Sequence, residues 1–315
     1  MASGRSRNDK ARGEKIYQRI ASKVEDGDHY EATQIAKTLF FRYKVQGNFE
    51  EAVKICYRCA TLLLKQSQHE NGIDLARDMI KCYNEGKVNV NDDNVDRIVE
   101  ILNLCEKNSP SREDFLRESL QWSNTGYKFG HPKIHQAVAI KYWEERNYSS
   151  ARQHFAHGQE GELYGAFLVE YHVTSGYPGE IDLFVTQAVL QILCLQRIPA
   201  ANILFFTYTG KHPGIKRCNK PYKQPLLNFI AFLLLAVEIG SLQQFTTLCE
   251  QYHPSISRDP MYFEYLDKIG QVFFGVPPKE SKKKDGFVGM LDDIMRNMMG
   301  DSPMEIEAAV EEEAD

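Results

Sequence analysis

A short corner motif returns along this chain, and it restricts the fold to packed helices. Gly27-Asp28-His29-Tyr30-Glu31-Ala32 is followed by Gly47-Asn48-Phe49-Glu50-Glu51-Ala52, and a looser version stands at Asn147-Tyr148-Ser149-Ser150-Ala151. In each, a Gly or Asn can close one helix in the left-handed conformation, and the neighbouring Asp, Asn or Ser can cap the start of the next. The aromatic residue and the Ala three positions later share one face of the new helix, a large knob beside a small residue that lets a neighbouring backbone approach. Corners repeated in this way imply stacked helical hairpins, each burying its apolar face against its neighbours. Such a stack works through long surfaces.

The apolar spacing between the corners agrees. Ile16, Ile20 and Val24 form one stripe, Ile35, Ala36, Leu39, Phe40 and Tyr43 the next, and Phe49, Ala52, Val53, Cys56, Ala60, Leu63 and Leu64 a third. All keep the three-and-four period of an amphipathic helix. Gly72 and Gly86 are read as further hairpin corners, and strand-like alternation is largely missing. The fold class is therefore all-α, an α-solenoid of stacked antiparallel hairpins of tetratricopeptide-like kind. Residues 1–13, rich in Ser, Gly and Arg without apolar period, are expected to be disordered. Residues 14–157 form an N-terminal helical half and 158–280 a more apolar C-terminal half. Within the latter, Thr209–Gln224 carries Gly210, Pro213, Gly214 and Pro221. It is expected to leave the helix as a loop or short β-hairpin. Residues 281–315, Met-rich from Met290 to Met299 and then acidic, form a tail that is expected to be disordered, its Met-rich part suited to an amphipathic docking helix.

Charge and composition exclude several classes of function. A net charge of -5 leaves no cationic excess with which to coat nucleic acid. No apolar leader follows Met1, and the longest apolar run, Phe229–Val237, is about half of the roughly 20 residues a membrane span needs. The chain is thus expected to be cytosolic and not inserted in a membrane. Seven scattered cysteines fit a reducing compartment rather than a disulfide framework. Cys56 and Cys59 have zinc half-site spacing but lie in an apolar stripe with no second pair, which reads as core packing. His131 and His135, and His154 and His157, are spaced to face each other, yet Pro132 stands where a metalloprotease helix needs Glu. No nucleophile elbow, phosphate loop or dinucleotide fingerprint occurs. No cofactor, metal or catalytic residue is assigned, and the chain reads as a non-enzyme. The better candidate is a face for partners: Lys15, Arg19 and Lys23 repeat every four residues along one side of the first helix, close to Tyr30 at the first corner.

Longer strings carry a resemblance. Glu25-Asp26-Gly27-Asp28-His29-Tyr30-Glu31-Ala32, Leu39-Phe40-Phe41-Arg42-Tyr43, Gly130-His131-Pro132-Lys133-Ile134-His135, Pro225-Leu226-Leu227-Asn228-Phe229, Asp259-Pro260-Met261-Tyr262, Glu264–Gln271 and Phe273–Lys279 appear in order. Together they resemble the Golgi-to-ER traffic protein 4 family. The resemblance implies a helical adaptor without enzymatic activity in the targeting of tail-anchored membrane proteins. Its N-terminal helices would bind the targeting ATPase of the guided-entry pathway in its nucleotide-loaded state. Its C-terminal helices and a protruding hairpin would hold a ubiquitin-like partner, in animals a large ubiquitin-like scaffold protein. By position, the ATPase face would comprise Lys15, Arg19, Lys23 and Tyr30, with Asp74 in a regulatory contact. The scaffold hairpin would comprise Tyr208, Lys211, Ile215, Pro221 and Tyr222. His29 stands where many relatives carry Tyr. A competing assignment, a helical-repeat subunit of a proteasome-lid or initiation-factor assembly, would call for a strand-rich ending that the sequence lacks.

Overall fold

Corner chemistry sets the architecture. In a computed structural model, residues 2–107, 109–215 and 221–277 are described. Among them are fifteen α-helices, one 3-10 turn and no strand. The chain divides between Glu160 and Gly161 into two units; the sequence placed this boundary between 157 and 158. The first unit holds α1 (Ala2–Glu25), α2 (His29–Val45), α3 (Phe49–Lys65), α4 (His69–Glu85), α5 (Asp92–Leu104), α6 (Pro110–Ser123), α7 (Pro132–Glu144) and α8 (Tyr148–His157). The second holds α9 (Gly161–Ser175), α10 (Ile181–Cys194), α11 (Ile198–Lys211), α12 (Pro225–Ile239), α13 (Leu242–Gln251), α14 (His253–Ile256) and α15 (Met261–Phe274).

The corner motif is more regular in space than in sequence. Left-handed residues stand at Gly27, Gly47, Ser67 and Lys87, each twenty positions after the last, and again at Arg146 and Gln196. Helices α2, α3 and α4 are each 17 residues long. Five positions after a left-handed residue comes a small one: Ala32, Ala52, Ala151 and Ala201, each with 0% exposure, and Gly72, also buried. Gly72 therefore lies inside α4 and is not a corner; a Cβ there would meet Leu64 Cγ at 2.6 Å and the Ala60 carbonyl oxygen at 3.1 Å. The corner itself is made by Ser67. Likewise Arg146, not Asn147, takes the left-handed conformation at the later corner, and Gly86 remains helical with Lys87 turning the chain. Asn48 and Asn147 cap as expected, accepting from the amides of Glu51 at 3.4 Å and Ser150 at 3.3 Å.

Two further differences concern element ends. The backbone of α1 is helical from Ala2, although residues 1–13 read as disordered. That segment contains no Pro, and its Ala, Arg and Lys residues propagate a helix already nucleated by the packed Ile20 and Val24. At the other segment, α11 runs on to Lys211 before His212 leaves the helix. Thr209 is buried there with its hydroxyl on the Phe205 carbonyl at 2.9 Å, so Gly210 does not break the helix. The segment around 216–220, the Met-rich stretch and the acidic end all lie outside the described residues.

Ion pairs with a buried member tie elements together within each unit. Arg112 at the start of α6 meets Glu145, just after α7, through two hydrogen bonds of 2.6 and 3.1 Å, with side-chain exposures of 5% and 3%. In the second unit Arg258 donates to the buried Asp182 at 2.6 Å, and the Tyr208 hydroxyl donates to the Ile181 carbonyl at 2.7 Å.

Candidate partner-docking faces

The α1–α2 corner gathers most of the residues singled out for the first face. Gly27, at φ +82°, turns the chain so that the first turn of α2 comes back against the last turns of α1. Lys23 Nζ then reaches Asp28 at 3.2 Å and Glu31 at 2.6 Å, and Arg19 reaches Glu31 at 3.4 Å. Hydrogen bonds that the Lys23 ammonium donates to Glu31 first, then Asp28, raise its pKa, and Lys23 in turn lowers that of Asp28. Asp28 consequently makes no side-chain cap to α2. The cationic stripe is thus graded. Lys15 is exposed and makes no ion pair among the described residues, Arg19 is loosely held, and Lys23 is shared between two carboxylates.

Tyr30 sits beside this network at 75% exposure. It begins an outward stripe on α2, continued by Gln34, Phe41 at 53% and Val45 at 88% exposure. These positions repeat at helical spacing, so the face opposite the core is apolar at both ends. Asp74, from α4, is engaged by Lys37 on the same side of α2, and the ammonium pKa is raised chiefly by that hydrogen bond. Lys37 is seven residues from Tyr30, a rise of about 10 Å along the helix. Tyr30, the cations and Asp74 therefore belong to one side of the α1–α2 pair, with Asp74 held rather than free. Phe41 and Val45 were missed from sequence. The adjacent pair Phe40-Phe41 carried the signal, because neighbours on a helix cannot both face one core.

In the second unit the five hairpin residues separate. Tyr208 has 0% exposure and Ile215 is buried, so both belong to the core and neither can meet a partner's surface. Burial pushes the Tyr208 hydroxyl well above the ordinary phenol range, which suits its role as a donor to Ile181. Lys211 is exposed and paired with Glu162 at 3.0 Å. Pro221 is exposed; Tyr222 is half-buried, its backbone N–H and C=O both satisfied by the Asn228 side chain at 2.7 and 2.8 Å. The start of the loop is fixed by a directed chain of hydrogen bonds. Gly214 N–H donates to His212 Nδ1 at 3.0 Å, the two rings join through His212 Nε2 and His172 Nδ1 at 2.8 Å, and His172 Nε2 reaches the Tyr177 carbonyl at 3.0 Å. Each ring needs one nitrogen as acceptor, so both are neutral. Along α12, Phe232 and Leu235 inside the run from Phe229 to Val237, and Ile239 just beyond it, are exposed.

Cys56 and Cys59, the pair with zinc half-site spacing, are buried. Cys59 is pushed to about 12 by burial, and burial likewise raises Cys56 well above its usual range. Among the described residues no group of three or more His, Cys, Asp or Glu is placed to hold a metal ion. No helix among them is long and apolar enough to cross a membrane.

The family model for Golgi to ER traffic protein 4 matches residues 46–299. The chain belongs to the Golgi to ER traffic protein 4 family. The Golgi to ER traffic protein 4 homolog of Xenopus tropicalis is 46% identical over 305 residues, 93% of this chain and 94% of that protein. The human homolog is 44% identical over 293 residues, 93% and 88% of the respective chains. A crystal structure of Get4 from C. therm. superposes with a TM-score of 0.78 at 24% identity, covering 96% of this chain and 100% of that one. The helical fold is thus the fold of Golgi to ER traffic protein 4, and the match begins within the α2–α3 corner. The candidate face on α1 and α2 lies before the residues that the family model matches.

Proposed function

We propose that the chain is a non-enzymatic cytosolic adaptor in the post-translational targeting of tail-anchored proteins to the ER, also linked to quality control of mislocalised hydrophobic proteins. Membership of the Golgi to ER traffic protein 4 family supports this reading. So does the α1–α2 side, where the exposed Lys15, Arg19 and Tyr30 stand beside an unpartnered apolar stripe on α2. That side would take the targeting ATPase, and the second unit a ubiquitin-like scaffold, through Lys211, Pro221 and Tyr222 rather than the buried Tyr208 and Ile215. An adaptor that favours the nucleotide-loaded ATPase shifts its population by the ratio of its affinities for the two states, without chemistry of its own.

The grading of the cations makes the test specific. Lys15→Glu and Tyr30→Ala should each weaken binding of purified targeting ATPase by about tenfold or more at low salt, as expected for an exposed charge and an aromatic anchor. Gln18→Glu, one turn along α1, adds negative charge without removing a cation and should act more weakly than Lys15→Glu. Calorimetry at two salt concentrations reads both effects. Unchanged affinity of Lys15→Glu and Tyr30→Ala, with helicity intact, would remove the α1–α2 side from the interface.

A further inference from the structure

The apolar face of α12 has an occupant of matching pattern in this same chain. Phe232, Leu235 and Ile239 are exposed at three-and-four spacing on the most continuously apolar helix, a stripe about 10 Å long. Exposed apolar clusters of this kind mark interaction sites. Beyond the last described residue, Phe287, Met290, Leu291, Ile294, Met295 and Met298 repeat at the same spacing, a stripe of about 16 Å if helical. From Met290 on, the positions between them are Asp292, Asp293, Arg296 and Asn297; Val288 and Gly289 precede that turn. The family match runs through residue 299, beyond the described residues, and stops where this stripe ends, short of the acidic end.

The exit of the chain brings the two stripes within reach. Val276 is buried and its amide donates to the Gly270 carbonyl at 3.2 Å, which fixes the departure at Pro277. Phe274 stacks on Phe245 of α13 with ring centroids 4.8 Å apart. Phe245 lies six positions after Ile239, across the tight corner made by Gly240 at φ +73° and the Ser241 cap. The chain thus leaves beside α13, the helix that follows α12 across that corner. Residues 278–286 then span up to about 30 Å when extended. A tether this short gives an effective concentration of order 1 mM, so a face affinity of only ~0.1 mM keeps the segment docked about nine-tenths of the time.

The geometry points to residues 287–298 docking as an amphipathic helix along Phe232, Leu235 and Ile239 of their own chain, covering this face. The assignment does not depend on what binds the α1–α2 side. Two measurements on the full-length chain test it. A benzophenone photo-crosslinker placed at Leu235, irradiated at low micromolar concentration, should give a product of monomer mass whose crosslinked peptide maps within 287–299. A dimer-mass product, a peptide from elsewhere, or no product overturns the proposal. Hydrogen exchange should show protection of amides 287–298 that falls about tenfold or more in Leu235→Asp and is unchanged in Phe41→Asp, on the other unit. Leu235 is 53% exposed, so the substitution leaves the core untouched. Free exchange of 287–298 in the unmodified chain overturns the proposal as well.

Discussion

Replacing Glu145 by Ala removes one half of the most enclosed ion pair in the first unit. Arg112 would keep 5% side-chain exposure and lose both of its hydrogen bonds to Glu145, at 2.6 and 3.1 Å. Breaking a buried pair costs about 3–5 kcal/mol, because the surviving charge stays desolvated. Glu113 remains 3.2 Å from Arg112 Nη2, and the Tyr142 ring lies 5.0 Å from the guanidinium, which places the cost near the lower figure, about 3 kcal/mol. For a unit of this size that is a fall in Tm of roughly 6–12 °C. The readout is intrinsic: Trp122 and Trp143 are the protein's two tryptophans and both lie in the first unit, so fluorescence-detected urea unfolding reports that unit. Replacing both partners, Arg112→Met with Glu145→Leu, should recover most of the loss, since well-packed apolar pairs often match a buried salt bridge. A single-variant cost below about 1 kcal/mol, or a double variant as damaged as the single, would refute the reasoning that desolvation of the orphaned guanidinium sets the cost.

Other predictions follow from the histidines and the corners. Burial holds His135 at about 4, and burial with the neighbouring His135 and His157 holds His154 at about 3, against an ordinary 6.5. Depressed folded values mean that their contribution is complete above pH 6.5 and is lost as pH falls from 6.5 toward 4. The urea midpoint should be flat from pH 8 to 7 and drop between 6.5 and 5, and His135→Gln with His154→Leu should flatten that limb. An acid limb unaltered by the pair of substitutions would assign it to other groups. Gly47→Ala, at φ +70° with nothing within 4 Å of the new Cβ, should cost about 1 kcal/mol from backbone strain alone. Asn48→Ala should cost a similar ~1 kcal/mol and Asn48→Gly only a few tenths. Unchanged stability of Asn48→Ala in chemical denaturation would show that the cap bond to Glu51 contributes nothing.

The helical class was legible because Gly27 and Gly47 carry both a conformational and a capping signal. At Ser67, Lys87, Arg146 and Gln196 the left-handed residue itself carried no such signal, since residues with side chains adopt positive φ only when the surrounding helices hold them there. The small residue five positions on was present after Ser67, Arg146 and Gln196, but not after Lys87, where Asp92 stands. At Gly72 it misled, because a glycine chosen for close helix contact looks like a glycine chosen for a turn. On the docking side, the cations of α1 could be read from their spacing, but not their pairing with Asp28 and Glu31, which requires the fold-back at Gly27. Tyr208 and Ile215, assigned by position from the family resemblance, are buried instead: a position carried over from relatives marks where the chain lies, not which of its side chains face outward.

The constant step from Gly27 to Gly47 to Ser67 to Lys87 constrains how such a chain can change its length over evolutionary time. Because α2, α3 and α4 are equal in length and joined by equal corners, removing one twenty-residue block would leave every apolar stripe in phase with its own helix. It would also reverse the direction of everything downstream, carrying each later helix end to the opposite rim of the stack. Two blocks restore the direction. Growth or loss by forty residues is therefore compatible with the same packing, and by twenty it is not, so the inheritable unit of this architecture is the hairpin and not the helix.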